Sequence, residues 1–239
     1  ARSSGTARTS ATTPPRRRLR LIRLLLAAPP LPAQPDDWAL VRTQTEARLQ
    51  TLAGETDGVL GVCAVDLATG GRFGVNMDVV FPQARAIKVA VLMELERQVQ
   101  AGSIDPSETL PVRAADMAGG SGVLGGFGDG TSRLAVRDLA SLMIGASDNT
   151  ATNLLIDKAG MQSVNDMLAG LGLKQTRLRR RMMDQQASLR GEENISTPGE
   201  AARVMTVLGK GEFVNAAVSA RVVTTLSLGK TATSVIRSV

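Results

Sequence analysis

The stretch from Phe81 to Gln100, FPQARAIKVAVLMELERQVQ, constrains the fold of this chain more than any other. Ile87, Val91, Leu95 and Val99 recur every four residues with Leu92 beside them, while Glu94, Glu96, Arg97, Gln98 and Gln100 take the other side. That spacing predicts an amphipathic helix packed into the core. Lys88 interrupts the apolar side one turn in, where a purely structural helix would carry Leu or Ala rather than desolvate an ammonium group. Arg85 lies three residues earlier, so the two cations share a face.

The inventory of side chains removes several chemistries. The chain has 239 residues, enough for one sizeable domain, and its 43% hydrophobic and 21% charged residues suit a foldable globular chain. Histidine is absent and Cys63 is the only cysteine, which excludes intrachain disulfides, histidine-based triads and the usual zinc sites. No metal or other cofactor is expected. Cys63 sits in the apolar run VLGVCAV and reads as a small buried hydrophobe. Aromatic residues make up 2% of the chain, with no Tyr and one Trp, too few for a base-stacking platform. The net charge of +6 is concentrated in an N-terminal arginine cluster and in Arg177 to Arg181. A solvated basic edge accounts for the second run, and no nucleic-acid partner is expected.

Residues 1–35 combine Arg16-Arg17-Arg18-Leu19-Arg20, an apolar run to Ala28 and a Pro-rich segment with small residues near Ala33. The order is that of an export signal, with a disordered basic tail as the alternative. No uninterrupted apolar stretch approaches the roughly 18 residues of a membrane span, so no stable anchor is expected. The domain then occupies residues 36–239. A helix is predicted from Asp36 to Leu52, and a β-hairpin from Val59 to Asn76 turning at Gly70-Gly71. Residues 103–132, dense in glycine, read as loop. Helices follow at about 136–144, 150–158 and 163–168, with an extended segment over 176–181 and a long loop over 182–196. Thr197, Pro198 and Glu200 spell a capping box that opens a helix through Leu208, and a last helix runs from about Val214 to Leu226.

Taken in order, the hairpin ending in DLATGGRFG, FPQARAIKVAVL, the loop GGSGVL, SDNTATNLLID and the Thr-Pro helix start resemble the class A β-lactamases and their serine-hydrolase relatives. The resemblance runs from about Asp36 to Leu226. It implies an α/β fold of the α+β type, with helices packed on an antiparallel sheet. It also implies a serine hydrolase that opens β-lactam rings through an acyl-enzyme, exported to the periplasm or secreted, monomeric, and acting on a small β-lactam or acyl-peptide substrate.

Residue by residue, the resemblance implies that Lys88 is the lysine beside the nucleophile, that Ser147 relays a proton to the leaving nitrogen, and that Asn149 holds the substrate. Asp148 is implied to be structural. Where the family has its nucleophilic serine, this chain has Arg85. A guanidinium offers no lone pair for attack and stays protonated, so the family's acylation step is expected to be absent. Counting back from Thr197-Pro198, Arg181 falls near the position of the family's water-activating glutamate, and Asp184 is the best substitute acid. Lys230 and Thr231 echo the family's KTG motif with Ala232 in place of glycine, and the C-terminal strands are expected to be missing or altered after about residue 226. The expectation is therefore an inactive or impaired β-lactamase relative. The alternative is a non-catalytic module that binds a carboxylate or a cell-wall peptide end.

Overall fold

The computed structural model describes residues 37–229. The expected export signal, Lys230 and Thr231 lie outside the described residues. The chain divides into two units, residues 1–42 and 43–239. Of the first, the described residues 37–42 form the opening turns of helix α1 (Asp37–Glu55).

In the second unit, α1 gives way to the hairpin of β1 (Val62–Val65) and β2 (Arg72–Val75), antiparallel with Val62 opposite Val75 and Val65 opposite Arg72. Asp66 closes the turn by accepting from the Ala68 N–H at 2.9 Å and the Thr69 hydroxyl at 2.5 Å. The remaining elements are β3 (Phe81–Pro82), a 3-10 turn (Ala84–Ile87), α2 (Lys88–Gln100), β4 (Thr109–Arg113), β5 (Asp129–Ala135), α3 (Val136–Gly145), α4 (Asn149–Ala159), α5 (Met161–Gly170), α6 (Gln185–Leu189), β6 (Ile195–Ser196), α7 (Pro198–Gly209) and α8 (Ala216–Leu226).

Helix α2 occupies the centre, packed against α4, α5 and α8. Ile87, Val91, Leu92 and Met93 are fully buried and meet Leu155, Val164, Leu168, Val218 and Val222 of those helices in one core. Burying each large side chain contributes about 1.5–3 kcal/mol. That is what fixes the position of Lys88, the first α-helical residue, against its surroundings.

Four differences from the sequence reading have physical causes. Among the described residues the strands form three separate two-stranded antiparallel sheets, not the hairpin alone. β4 pairs with β5, Thr109 opposite Ala135, largely within the segment read as loop, because TLPVR and DGTSRLA carry too few apolar residues to show an alternation. β6 pairs with β3 and ties the end of the long loop to the entrance of α2. The loop itself contains α6, too short to show helical periodicity and capped by Asp184, whose carboxylate accepts from the Ala187 N–H at 3.0 Å.

Glu94, assigned to the polar side of α2, is 0% exposed. It is sustained there by Arg97, which donates through Nε at 2.7 Å and Nη2 at 2.8 Å, and by Gln98 Nε2 at 2.6 Å. The capping box is half formed. Thr197 accepts from the Glu200 N–H at 3.1 Å, but the Glu200 carboxylate gathers the backbone N–H groups of Lys174, Gln175 and Thr176 and the Thr176 hydroxyl. Burial opposes ionisation of Glu200, and these donors overcome it, holding the carboxyl below its ordinary range.

Candidate active site

The site is built where the start of α2 meets the start of α4. Lys88 is 3% exposed, and its Nζ lies 2.7 Å from the Ser147 carbonyl oxygen, 3.1 Å from Ser147 Oγ and 3.1 Å from Asn149 Oδ1. Burial is the main influence on its basicity, and Arg85 adds to it, with Asp148 in partial opposition; together they lower the lysine from an ordinary 10.5 to about 8. The structure thus brings Lys88 together with Ser147 and Asn149, which lie about sixty positions further along the sequence.

Their positions are enforced locally. Asp148 is the N-cap of α4. Its Oδ1 accepts from the Ala151 N–H at 2.8 Å, while Oδ2 reaches into the glycine-rich loop and accepts from the N–H groups of Val123 at 2.7 Å and Leu124 at 3.0 Å. That loop answers with Ser121, whose hydroxyl donates to the Ser147 carbonyl at 2.8 Å and whose carbonyl accepts the Asn149 N–H at 3.1 Å. Asn149 Nδ2 donates to the Gly119 carbonyl at 2.9 Å. The GGSG segment is therefore a bracket around the SDN triplet rather than a plain surface loop. Ser121 was legible only as part of that loop.

Arg85 lies in the 3-10 turn before Lys88 and is exposed. It has no ion-pair partner among the described residues. It lines a small cleft of about 160 Å³ with Ala84, Asn149, Arg180, Met182 and Met183. Arg180 there is paired to Glu193 at 2.8 Å. Ala84, Ser147 and Met183, all bordering this region, adopt positive φ of 44°, 51° and 62°. Side chains at such φ are strained by roughly 1–3 kcal/mol each and persist where surrounding contacts over-determine them.

The long loop forms the far wall, and three asparagines hold it. Asn165 exchanges two hydrogen bonds with the backbone of Leu178, both at 2.9 Å. Asn153 does the same with Met182, at 3.1 and 2.7 Å. Asn194 accepts from the N–H groups of Arg179 and Arg180 and donates to the Arg180 carbonyl. The only sequence signal for Asn153 and Asn165 is an amide set among apolar helix positions. Arg181 binds Asp157 at 2.9 Å, so most of the arginine run is spent on internal contacts. Asp184 borders a second cleft, of about 270 Å³, with Asn153, Arg181 and Met182, and is not among the hydrogen-bond partners of Lys88.

Among the described residues no helix is long and apolar enough to cross a membrane. Comparison with known proteins matches this arrangement to one family. A model of the β-lactamase enzyme family matches residues 44–239. The crystal structure of a β-lactamase from Sphaerobacter thermophilus is 34% identical with a TM-score of 0.70, over 77% of this chain and 69% of that one. A mutant of PBP-A, solved as an acyl-enzyme complex with penicillin G, is 29% identical with a TM-score of 0.67, over 75% of this chain and 66% of that one. The β-lactamase SME-1 of Serratia marcescens is 26% identical over 72% of this chain and 59% of its own length. The chain spans about half to three-fifths of the curated relatives it matches. On the match of the family model over most of its length, the chain belongs to the β-lactamase enzyme family, related to its class A members.

Proposed function

We propose that this chain carries the acyl-transfer site of a serine β-lactamase relative with its usual nucleophile position held by Arg85, and that it does not form the family's acyl-enzyme. The observation that carries this reading is the hydrogen-bonded set of Lys88, Ser147 and Asn149, intact one turn away from a residue that cannot attack a carbonyl. In this reading Lys88 is the lysine that would accept the nucleophile's proton, Ser147 the relay to a leaving nitrogen and Asn149 the amide that orients the substrate. Arg85 lacks the lone pair and sets a second cation near Lys88. Asp184, occupied as the cap of α6, is assigned no more than a supporting part in water activation. Lys230 and Thr231 are retained as candidate substrate contacts.

The substrate class is a small β-lactam or acyl-peptide, the chain acts as a monomer, and its compartment is the periplasm or the cell exterior. A domain from residue 36 to 239 preceded by an export signal completes the proposal. Turnover of a chromogenic cephalosporin and labelling by a fluorescent penicillin test it. The unmodified chain should do neither, and either signal above a boiled control would overturn the reading.

One observation favours a second reading, a non-catalytic carboxylate binder. The exposed guanidinium of Arg85, without an ion-pair partner among the described residues, borders the small cleft together with Arg180 and Asn149, and a planar fork of N–H donors suits a carboxylate. Saturable, non-covalent binding of an acyl dipeptide that Arg85→Ala abolishes would support it.

A further inference from the structure

With Arg85 unable to act, the hydroxyl that lies against the buried amine of Lys88 is that of Ser147. The three partners of Lys88 sort by chemistry. The Ser147 carbonyl and Asn149 Oδ1 can only accept, while Ser147 Oγ can also donate. A neutral amine has two N–H groups and one lone pair. It satisfies this set completely when the two N–H groups go to the two acceptors and the lone pair receives the Ser147 hydroxyl proton. The same three contacts that bury Lys88 therefore aim its lone pair at one oxygen.

Three further features fit that role. Ser147 is half-buried, whereas Lys88 is closed off, so the serine is the more exposed member of the pair. Its φ of 51° holds it on a sharp turn between α3 and α4, the kind of strained backbone on which exposed nucleophiles are carried. The turn is locked by Ser121 and by the Asp148 cap, so the Oγ position is not free to drift. Negative charge developing there would form at the N-terminal end of α4, an 11-residue helix, and near the Arg85 cation.

From this geometry we propose that Ser147 and Lys88 form a serine–lysine nucleophilic dyad that accepts acyl groups from small activated esters. The Lys88 lone pair takes the Ser147 hydroxyl proton as Oγ bonds to the carbonyl carbon and the π pair moves onto the carbonyl oxygen. Collapse breaks the bond to the ester's leaving oxygen, and the Lys88 ammonium returns its proton to that alkoxide. Water, deprotonated by Lys88, then attacks the acyl-serine and releases a carboxylic acid and free Ser147. Small donors are specified because the adjoining cleft, of about 160 Å³, lies below the roughly 300 Å³ of pockets that take drug-sized ligands. Asn149 is a positioning residue, acting through Lys88. The proposal does not depend on where the wider family keeps its nucleophile.

The full chain treated with an alkyl fluorophosphonate, in which Oγ displaces fluoride from phosphorus, tests this directly by peptide mass mapping. Ser147 should be the main modified residue, and Ser147→Ala should remove that adduct. Lys88→Arg, which keeps the cation without a usable base, should slow labelling at Ser147 by at least about tenfold, with circular dichroism confirming the fold. In the unmodified chain the labelling rate should rise about tenfold between pH 7 and pH 9 and then level off, as a base titrating near 8 requires. A folded, unmodified chain that shows no adduct at Ser147, or a rate that keeps rising with hydroxide and no plateau, overturns the dyad. A penicillin adduct would instead contradict the function proposed above and is read separately, on the same peptide map.

Discussion

Gly122 and Asp148 approach so closely that a Cβ on Gly122 would stand 2.5 Å from the Asp148 carboxylate carbon and nearer still to its Oδ2. Gly122 also sits at φ 140°, a backbone region that other residues rarely enter. Glycine is required at position 122 for this reason. The loop backbone must come within hydrogen-bonding distance of the helix cap that positions Ser147 and Asn149.

Gly122→Ala should therefore lower stability by about 2–3 kcal/mol through strain and displacement of the cap. Gly125→Ala, in the same loop with open space around it, should change stability by no more than about 0.5 kcal/mol. Urea unfolding of the two variants and the parent checks the contrast. Equal effects would mean that the Asp148 contact does not govern the loop.

Lys88 makes stability depend on pH in a defined direction. Its pKa falls from 10.5 to about 8 in the folded chain, chiefly by burial, with Arg85 lowering it further and Asp148 opposing. Between those values the unfolded chain holds the proton more firmly than the folded one. Unfolding then takes up protons, so the contribution of Lys88 to stability increases as pH rises from about 8 to about 10.5 and is flat below 8. Urea midpoints across that window should rise in the parent relative to Lys88→Met. Replacing Asp148 by Asn removes the one nearby anion that supports the ammonium, and the Lys88 titration followed by carbon NMR should move below 8.

The long loop depends on Asn153. Its amide closes a two-bond ring with the Met182 backbone, and both partners are buried. Asn153→Ala strands one N–H and one carbonyl, which should cost about 2–4 kcal/mol. Limited proteolysis between residues 179 and 191 should accelerate in that variant before the helical core is cut. Unchanged cleavage would mean that Asn165 and Asn194 suffice to hold the loop.

Much of this architecture was legible because the periodic elements are long. The four-residue repeat of Ile87, Val91, Leu95 and Val99 located α2, and Lys88 stood out as a cation on its apolar face. SDN in its surroundings located Ser147 and Asn149. What stayed hidden depends on pairing between distant segments. β4 and β5 have too few apolar positions to show an alternation, and α6 is shorter than two helical turns. Glu94 looked solvent-facing because a sequence pattern counts charges and cannot count the donors that Arg97 and Gln98 turn inward. Ser121 and the three clamping asparagines are ordinary polar letters until the backbone groups they satisfy are brought beside them. The arginine run read as an open basic edge for the same reason, since Glu193 and Asp157 lie elsewhere in the chain.

The central proposal is that Arg85 silences acylation beside the hydrogen-bonded set of Lys88, Ser147 and Asn149. Intact-mass spectrometry after incubation with benzylpenicillin, on the unmodified chain and on Arg85→Ser, tests it most directly. The account predicts no penicillin adduct on the unmodified chain and a single adduct mapping to position 85 in the folded variant. An adduct on the unmodified chain, or a folded Arg85→Ser chain that remains unmodified at saturating penicillin, would contradict it.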